Sequence, residues 1–343
     1  MLALRLLGKE NLKLERIEEP ALEEAGVILR VRATSICATD IKAYVTGART
    51  KIPITLGHEF AGEIVDASQE YRDYIGKRVV VNPNIFCGRC EYCLRGEHVL
   101  CPNRYAIGID VDGSFAEYVK IPDQAFRIGC VQEIPENLSY EEASLTEPLS
   151  ACYRGQRKLE IKLGDIVAII GAGPIGVMHL KLAKAAGASK VIISEIDERR
   201  CRIAEEFGAD YVINPMKEDL EKRISELTNG RGVDAVIVAV GVGQAQKDAL
   251  KIVAKGGKIN FFAGLPAGKE EVSMNTNLIH YKQITVLGTS MQTPYEFKRT
   301  LDLLASGILD VKPLITHRYA LEDGTKAFQT AMKAEGLKVV INP

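Results

Sequence analysis

The sequence predicts an α/β protein of two domains, one built on a doubly wound parallel sheet and one rich in β-strands. Between residues 164 and 288, short apolar runs alternate with helical stretches, which is the pattern of parallel βαβ units. The first 150 residues instead carry short apolar runs punctuated by Gly and Pro, which is typical of strands and turns. At 343 residues the chain is also longer than one compact core usually grows.

The change of texture sets the expected domain boundaries. The β-rich domain should cover residues 1–149 and 290–343, and the parallel-sheet domain residues 150–289. The C-terminal tail is too short for its own core, so we expect it to pack on the N-terminal domain and make that domain discontinuous. Within the tail we predict an amphipathic helix at 295–305, a strand at 314–315 and a last helix near 325–333.

The individual elements follow from apolar runs and their spacing. In the β-rich domain, strands are predicted at 27–32, 62–65 and 78–81. Residues 165–170 form a nearly continuous apolar run, as expected of a strand buried on both faces of a parallel sheet. Further strands of that sheet are predicted at 190–194, 211–213, 233–238, 258–262 and 284–287. Helices are predicted from the glycine-rich turn after the first strand to about residue 186, at 199–207 and at 220–227.

A glycine-rich turn follows the first strand of the parallel sheet and opens a helix. It reads Gly171-Ala-Gly173-Pro174-Ile175-Gly176. In this strand–turn–helix context the motif predicts a Rossmann dinucleotide site. The three glycines allow the tight turn, the approach of the pyrophosphate and the close packing of helix on strand. The helix N-terminus then offers free N–H groups to the phosphates.

The residue after the second strand of the parallel sheet predicts the cofactor. Glu195 stands there, and a carboxylate at this place accepts hydrogen bonds from the adenosine ribose and repels a 2′-phosphate. We therefore expect NAD. Arg199 and Arg200 follow closely and could host a phosphate, which leaves NADP open. Later turns should line the nicotinamide half of the site, at Val240, Gly264 and Gly288.

Four cysteines lie within fifteen residues, at Cys87, Cys90, Cys93 and Cys101. Two-residue gaps let thiolates converge on one point, and four sulfurs fill the tetrahedral shell of a structural zinc. The pattern predicts a closed zinc lobe over residues 84–104 that organises a loop and does no chemistry. A pair of disulfides in a secreted protein is the alternative, which the absence of a signal-peptide pattern disfavours.

Composition excludes several classes of partner. The formal net charge is −1 and the basic residues are scattered among acids, so neither nucleic acid nor a membrane surface is an expected partner. No stretch reaches the roughly 18 apolar residues of a membrane helix. The remaining cysteines stand singly, as expected of reduced thiols, and we expect the protein in the cytoplasm.

A second group of metal-ligand residues lies in the same domain. Gly57-His58-Glu59 occupies a glycine-rich loop, and Cys37 precedes it by twenty-one residues. Each residue alone has an ordinary explanation as a buried side chain. Beside a zinc motif and a dinucleotide fold, they become candidate ligands. His179, on the first Rossmann helix, is instead expected at the surface or an interface.

Taken together, these motifs resemble the zinc-dependent medium-chain dehydrogenases over essentially the whole chain, and in particular their polyol (sorbitol-type) and L-threonine branch. The resemblance is carried by Cys37-Ala-Thr39-Asp40, Gly57-His58-Glu59-Phe60-Ala61-Gly62, the four cysteines, the segment 112–118, Glu147-Pro148-Leu149 and the turn 171–176. It implies a GroES-like fold for the β-rich domain and two zinc ions per chain.

The resemblance also implies roles for single residues. Cys37, His58 and either Glu147 or Glu59 would bind the catalytic zinc, with one position left open for a water. The Thr39 hydroxyl would touch the reacting oxygen, and Glu59 could accept a proton through water. Relatives often carry a histidine five residues after the zinc cysteine. Lys42 stands there instead, so the proton route stays open.

The implied function is NAD-dependent oxidation of a secondary alcohol to a ketone by hydride transfer, with zinc as Lewis acid and a polyol as the first expected substrate. L-Threonine and butanediol are alternatives. A zinc-free NADPH-dependent quinone or enone reductase is more remote, because both metal motifs argue against it, as they do against a non-catalytic nucleotide-binding protein. Relatives imply a homo-oligomer, a tetramer or a dimer, with 284–287 as a candidate sheet edge.

Overall fold

In a computed structural model, which describes residues 1–47 and 50–343, the chain forms two compact units. The first, called here the β-rich unit, comprises residues 1–150 and 291–343. The second, called here the parallel-sheet unit, comprises residues 151–290. No helix in the described ranges is long and apolar enough to cross a bilayer.

The strands follow one another from the first residues of the chain to the last. In chain order they are β1 (Leu2–Gly8), β2 (Asn11–Arg16), β3 (Gly26–Ser35), β4 (Ile54–Thr55), β5 (Glu59–Ala67), β6 (Arg78–Val81), β7 (Asn84–Ile85), β8 (Tyr105–Ala106), β9 (Tyr118–Pro122), β10 (Val131–Glu133), β11 (Ile166–Ile170), β12 (Lys190–Ser194), β13 (Tyr211–Ile213), β14 (Val233–Val238), β15 (Val253–Phe261), β16 (Thr285–Gly288), β17 (Ile315–Ala320) and β18 (Lys338–Asn342).

The helices are mostly short in the first 144 residues and longer afterwards. They are α1 (Ala38–Thr46), α2 (Glu91–Leu94), α3 (Asp123–Arg127), α4 (Tyr140–Ser144), α5 (Thr146–Leu159), α6 (Pro174–Ala185), α7 (Glu198–Glu206), α8 (Leu220–Leu227), α9 (Gly243–Ile252), α10 (Asn277–Lys282), α11 (Pro294–Ala305) and α12 (Gly324–Lys333). Short 3-10 helices span Gln69–Tyr74, His98–Leu100, Lys312–Leu314 and Leu321–Asp323.

Side-chain caps define where several helices begin. Asp197 accepts hydrogen bonds from the first turn of α7, and Asp219 does so for α8. At α11, Thr293 and Glu296 form a reciprocal capping box and Pro294 occupies the first turn. Each cap satisfies backbone N–H groups that have no partner inside the helix.

The β-rich unit holds the C-terminal tail through backbone pairing. Its largest sheet has the order β10-β6-β5-β3-β18-β17, and β9 also pairs with β3. The last strand, β18, runs antiparallel to β3, with Val340 opposite Ser35. A smaller sheet has the order β2-β1-β4. The pairing brings the end of the chain beside residues that lie about 300 positions earlier.

The parallel-sheet unit confirms the predicted doubly wound sheet. Its strand order is β13-β12-β11-β14-β15-β16, and all of these pairs are parallel. Val167 and Ile169 pack in one apolar core, whereas Ala168 and Ile170 pack in another. Because alternate side chains of a strand point to opposite faces, both faces of the sheet are covered.

Some elements differ from the sequence predictions. The predicted bounds of β12, β13, β14 and α8 match the structure, but β15 begins five residues before the predicted start at 258. The elements that were not predicted include helices α1, α5, α9 and α10 and strand β18. In α1, the β-branched and aromatic residues Thr39, Ile41, Tyr44 and Val45 have weak helix propensity.

Candidate active site

Cys37, His58 and Glu59 come together because two neighbouring strands are antiparallel. Cys37 is the N-cap of α1, just after β3, and His58 and Glu59 stand where β5 begins. Ser35 at the end of β3 lies opposite Glu59. One ligand atom from each of Cys37, His58 and Glu59 lies within 4.8 Å of the others. A thiolate, an imidazole and a carboxylate at this separation form a donor set suited to zinc.

Asp40 orients two members of this donor set. One of its oxygens lies 3.2 Å from His58 Nδ1, and the other accepts a hydrogen bond of 2.9 Å from the Cys37 backbone N–H. The bond assigns the Nδ1 proton and leaves Nε2 for a metal. Burial lowers the pKa of His58, but Asp40 and Cys37 outweigh burial and raise the pKa well above its usual value. Asp40 was not among the predicted site residues. Its position three residues after Cys37 is the feature of the sequence that could have identified it.

Glu59 is fully buried and only one of its oxygens is satisfied. Its Oε2 accepts hydrogen bonds from Ser35 Oγ and from Lys338 Nζ. Its Oε1 has no hydrogen-bond partner among the described residues. A buried carboxylate oxygen without a partner is costly, and a metal ion beside Cys37 and His58, or a water bound to that ion, would satisfy it. The residues therefore fit the zinc that the family resemblance implies.

Lys338 was missed by sequence reasoning and lies at the centre of the site. It stands at the start of β18 and is 3% exposed. Its Nζ donates to Glu59 Oε2 and, at 3.1 Å, to the carbonyl oxygen of Ile36. No local pattern connects residues 279 positions apart, so only the pairing of β18 with β3 reveals this contact.

Glu147 lies close to this group but outside its tight cluster. It stands in the first turn of α5, and its Oε1 accepts a hydrogen bond of 3.0 Å from Gln292 Nε2. Burial raises its pKa to about 7, with His58 and Gln292 opposing the shift and Glu59 adding to it. The geometry includes Glu59 in the cluster and leaves Glu147 beside it, and both glutamates remain candidate ligands.

Thr39 and Lys42 lie on α1, beside the donor set. Both are half-buried, and they line a small cavity of about 30 Å³ together with Leu56 and Ile109. The first turn of α1 thus carries Thr39 and Asp40 one residue after another, next to Cys37. This placement keeps the Thr39 hydroxyl a candidate for contact with substrate, as the resemblance implies.

The four cysteines of the lobe converge as their spacing predicts. Their sulfur atoms lie within 4.8 Å of one another, and Cys87 and Cys93 Sγ are 4.0 Å apart. A disulfide needs about 2.05 Å, and all four thiols are free. Cys90 caps α2, whose single turn presents Cys93, and the buried sulfurs pack on Phe86. The arrangement fits a closed structural zinc site.

The glycine turn after β11 has the geometry of a phosphate-binding loop. Gly171 has a φ of +107°, which disfavours other residues. A Cβ at Gly176 would lie 1.9 Å from the Gly171 carbonyl oxygen, so α6 can pack here only without a side chain. Gly173 is the N-cap of α6, and Pro174 and Ile175 form its first turn. The helix N-terminus is therefore free for an anion.

Glu195 is fixed against this turn by backbone hydrogen bonds. Its Oε2 accepts from the N–H of Ala172 at 2.7 Å, and its Oε1 accepts from Ile196 and Asp197 at 2.8 and 3.0 Å. The carboxylate is 7% exposed. Its negative charge is therefore held at the carboxyl end of β12, beside the loop.

The other predicted cofactor residues lie at the same edge of the sheet. A Cβ at Gly173 would be 3.9 Å from Arg200 Nη1, and a Cβ at Gly171 would be 3.3 Å from Val240 Cβ. Gly264 follows β15 and Gly288 ends β16. Because parallel strands end at one edge of the sheet, these positions share that edge with Glu195.

His179 was expected at the surface or an interface, and this expectation is wrong. It is fully buried on α6, with its ring 4.7 Å from Phe262. Gln156 Nε2 donates to the His179 carbonyl oxygen at 2.6 Å. Burial lowers the pKa of His179 to about 3. The expectation rested on the helical context of His179, but α6 is buried on most sides, from Gly176 to Leu180 and again at Leu182 and Ala183.

Comparison with known proteins agrees with this geometry. The model of the alcohol dehydrogenase GroES-like domain matches residues 23–132, and that of zinc-binding dehydrogenases matches residues 174–306. The chain is 35% identical to sorbitol dehydrogenase of Bacillus subtilis, over 97% of this chain and 94% of that one. It is 37% identical to L-threonine 3-dehydrogenase of Pyrococcus furiosus, over 96% and 94%.

Among solved structures, a protein from Sinorhizobium meliloti 1021, named as a zinc-binding dehydrogenase and bound to NADP, superposes with a TM-score of 0.92. It is 34% identical, and the match covers 100% of this chain and 99% of that one. The fold, the two family models and the curated relatives agree with one another. The chain belongs to the zinc-dependent medium-chain alcohol dehydrogenases.

Proposed function

We propose that this enzyme oxidises a secondary alcohol of a polyol to a ketone with NAD as hydride acceptor. The observation that carries the proposal is the convergence of Cys37, His58 and Glu59 within 4.8 Å, with one buried Glu59 oxygen lacking a partner among the described residues. Such a donor set is suited to a catalytic zinc that keeps a position open for substrate.

Charge supports Glu147, rather than Glu59, as the third protein ligand beside Cys37 and His58, so that one position stays open. Lys338 already pairs with Glu59, so that carboxylate is neutralised within the protein. The thiolate of Cys37 and the carboxylate of Glu147 then match the charge of a divalent ion, with His58 neutral. Zinc held there would act as a Lewis acid that lowers the pKa of a bound hydroxyl.

The protein groups around this centre have distinct tasks. Asp40 holds His58 in the tautomer that a metal needs. We assign Thr39 to a hydrogen bond with the substrate oxygen and Glu59 to accept its proton through water. Lys42 stands where a histidine often relays that proton, and it would instead orient the cofactor ribose or phosphate.

Glu195 supports NAD as the cofactor. Three backbone N–H groups hold its carboxylate beside the glycine turn, where its charge would repel the 2′-phosphate of NADP. Arg200 lies close to Gly173 and provides the opposing attraction. The NADP bound to the Sinorhizobium meliloti protein makes cofactor preference a direct test of this assignment.

L-Threonine is the second candidate substrate. The 37% identity to the Pyrococcus furiosus L-threonine 3-dehydrogenase is slightly above the 35% identity to the Bacillus subtilis sorbitol dehydrogenase. Threonine offers a secondary alcohol flanked by an ammonium and a carboxylate, whereas a polyol offers uncharged hydroxyls.

A substrate screen tests the proposal. Sorbitol, other polyols, L-threonine and butanediol are each supplied with NAD or NADP, and reduced cofactor is followed by its absorbance. We expect the highest kcat/KM with a polyol and NAD. Highest activity with threonine would select the second candidate, and activity only toward quinones or enones would contradict both.

The edge of the parallel sheet supports self-association. Strand β16 pairs with β15, and the described residues place no strand on its other side. An open edge presents unpaired backbone groups that another chain can complete. We therefore propose a homo-oligomer that uses this edge, and sedimentation of Val286→Pro against the unchanged protein tests it, since a monomer is expected only for the variant.

A further inference from the structure

We propose that a chain of buried amide side chains connects the base of the four-cysteine lobe to Glu147 and positions that carboxylate for the catalytic metal. Gln292, Asn82 and Asn84 form the chain, and Arg104 ends it. The inference rests on the role proposed above for Glu147. All of its members lie in the β-rich unit.

Gln292 provides the contact with Glu147. Its Nε2 donates to Glu147 Oε1 at 3.0 Å and to Asn82 Oδ1 at 3.1 Å. A primary amide nitrogen carries two protons, so each bond has its own donor. Gln292 and Asn82 are both fully buried. The Glu147 carboxylate is therefore oriented by a residue 145 positions away, just before α11.

Asn82 and Asn84 continue the chain to the lobe. Asn82 Oδ1 also accepts from the Asn84 backbone N–H at 3.1 Å and from Asn84 Nδ2 at 3.3 Å. Asn84 Oδ1 in turn accepts from Arg104 Nη1 at 3.1 Å. Asn84 lies on β7, which pairs with β8. This short ladder is the base of the lobe, because Cys87 follows β7 and Cys101 precedes β8.

The orientation of both amides is fixed from the two ends. A Glu147 carboxylate that binds a metal is ionised and only accepts hydrogen bonds, so Gln292 presents Nε2 to it. The Asn84 backbone N–H only donates, so Asn82 must present Oδ1. Exchange of nitrogen and oxygen in either amide would break the chain.

The chain is retained at a cost to stability. Gln292 Oε1 and Asn82 Nδ2 are buried and have no hydrogen-bond partner among the described residues. Apolar side chains of similar size would fill the same space without leaving polar atoms unsatisfied. A structural role alone would be met better by such residues, whereas orienting a metal-binding carboxylate requires the amide.

The first test replaces Gln292 in the full-length, metal-loaded protein. Gln292→Met keeps the size and removes the donor. Gln132→Met is the matched control, since Gln132 donates from Nε2 to the Gly129 carbonyl in the same unit without contact to Glu147. Zinc affinity is measured by competition with a chromophoric chelator. The zinc-binding step that is lost in Cys37→Ser is assigned to the catalytic site.

We expect Gln292→Met to weaken zinc binding at that step by roughly 10- to 100-fold, as for other partners of metal ligands, and to change the visible spectrum of the cobalt-substituted site. Gln132→Met should change neither. Unaltered affinity and spectrum in Gln292→Met would overturn the positioning role, even if the variant unfolds at a lower temperature.

A double-mutant cycle tests the connection to the lobe. If the amide side chains act as a unit, Arg104→Met also lowers the zinc affinity of the catalytic site. The fold-changes in affinity caused by Arg104→Met and Gln292→Met then do not multiply in the double variant. Independent, multiplying effects would overturn the connection. Glu147→Gln separates the two proposals. Unchanged zinc affinity in that variant would exclude Glu147 as a ligand. Reduced zinc affinity in Glu147→Gln together with unchanged zinc affinity in Gln292→Met would exclude only the positioning role of Gln292.

Discussion

Asp40 is placed to orient two residues of the proposed metal site without being a ligand itself. It accepts the Cys37 backbone N–H with one oxygen and contacts His58 with the other, and it is 1% exposed. We expect Asp40→Ala to lower the zinc affinity of the catalytic site by roughly 10- to 100-fold. Chelator competition measures this, with the exposed Asp66→Ala as control. Equal affinity in both variants would contradict the orienting role.

Glu195 gives a prediction about cofactor choice. Glu195→Gln keeps the size and removes the charge, so the repulsion of a 2′-phosphate is lost. We expect the ratio of kcat/KM for NAD to that for NADP to fall by about tenfold, or about 1.4 kcal/mol. Glu198→Gln, in the following helix and exposed, is the control. An unchanged ratio in Glu195→Gln would exclude the ribose role.

His179 gives a prediction about acid stability. Its pKa of about 3 in the folded protein lies below the value of about 6.5 expected when unfolded. The unfolded chain therefore binds a proton in this interval that the folded chain does not, so the free energy of unfolding falls as pH falls below about 6.5. From this residue alone, about 2 kcal/mol is lost by pH 5.

Urea unfolding at pH 7 and pH 5 tests this account of His179. His179→Leu should lose less stability than the unchanged protein between the two pH values. His280→Leu, at an exposed position, should lose as much as the unchanged protein does. The same pH dependence in all three proteins would contradict a buried neutral imidazole.

At the scale of elements, the four-cysteine lobe can be predicted from the sequence, whereas the candidate catalytic group cannot be predicted from spacing alone. The lobe is local: Cys90 caps the single turn of α2, Cys93 lies within that turn, and Cys87 stands only three residues before Cys90, so spacing alone predicts their convergence. The catalytic group depends on antiparallel pairing of β3, β5 and β18. Spacing in the sequence carries no trace of that pairing, which is why Cys37 and His58 needed a family resemblance and Lys338 was missed.

The lobe also allows a prediction of its own. Cys93→Ser should leave about one zinc per chain, because three thiolates no longer close the structural shell. Residues 84–104 should then become the first site of cleavage in limited proteolysis, since the short β7–β8 ladder alone is a weak constraint. Two zinc ions per chain and an uncut lobe would contradict the structural assignment.

At the scale of the whole molecule, the alternation of strands and helices was enough to predict the parallel sheet, because each βαβ unit is local in sequence. The predicted and observed bounds of β12 and α8 agree, because the spacing of apolar residues is enough to locate these two elements. The β-rich unit is harder, since β18 reaches its place beside β3 only through long-range pairing. One consequence is that β18 contributes to the proposed metal site through the pair of Lys338 with Glu59.

The central claim is that Cys37 holds a catalytic zinc distinct from the zinc of the lobe. The most direct measurement is the zinc content of Cys37→Ser, taken with its rate of NAD reduction. The unchanged protein should carry two zinc ions per chain. The variant should carry one, bind NAD normally and show no turnover of the best substrate. Two zinc ions, or turnover at the rate of the unchanged protein, would contradict the account.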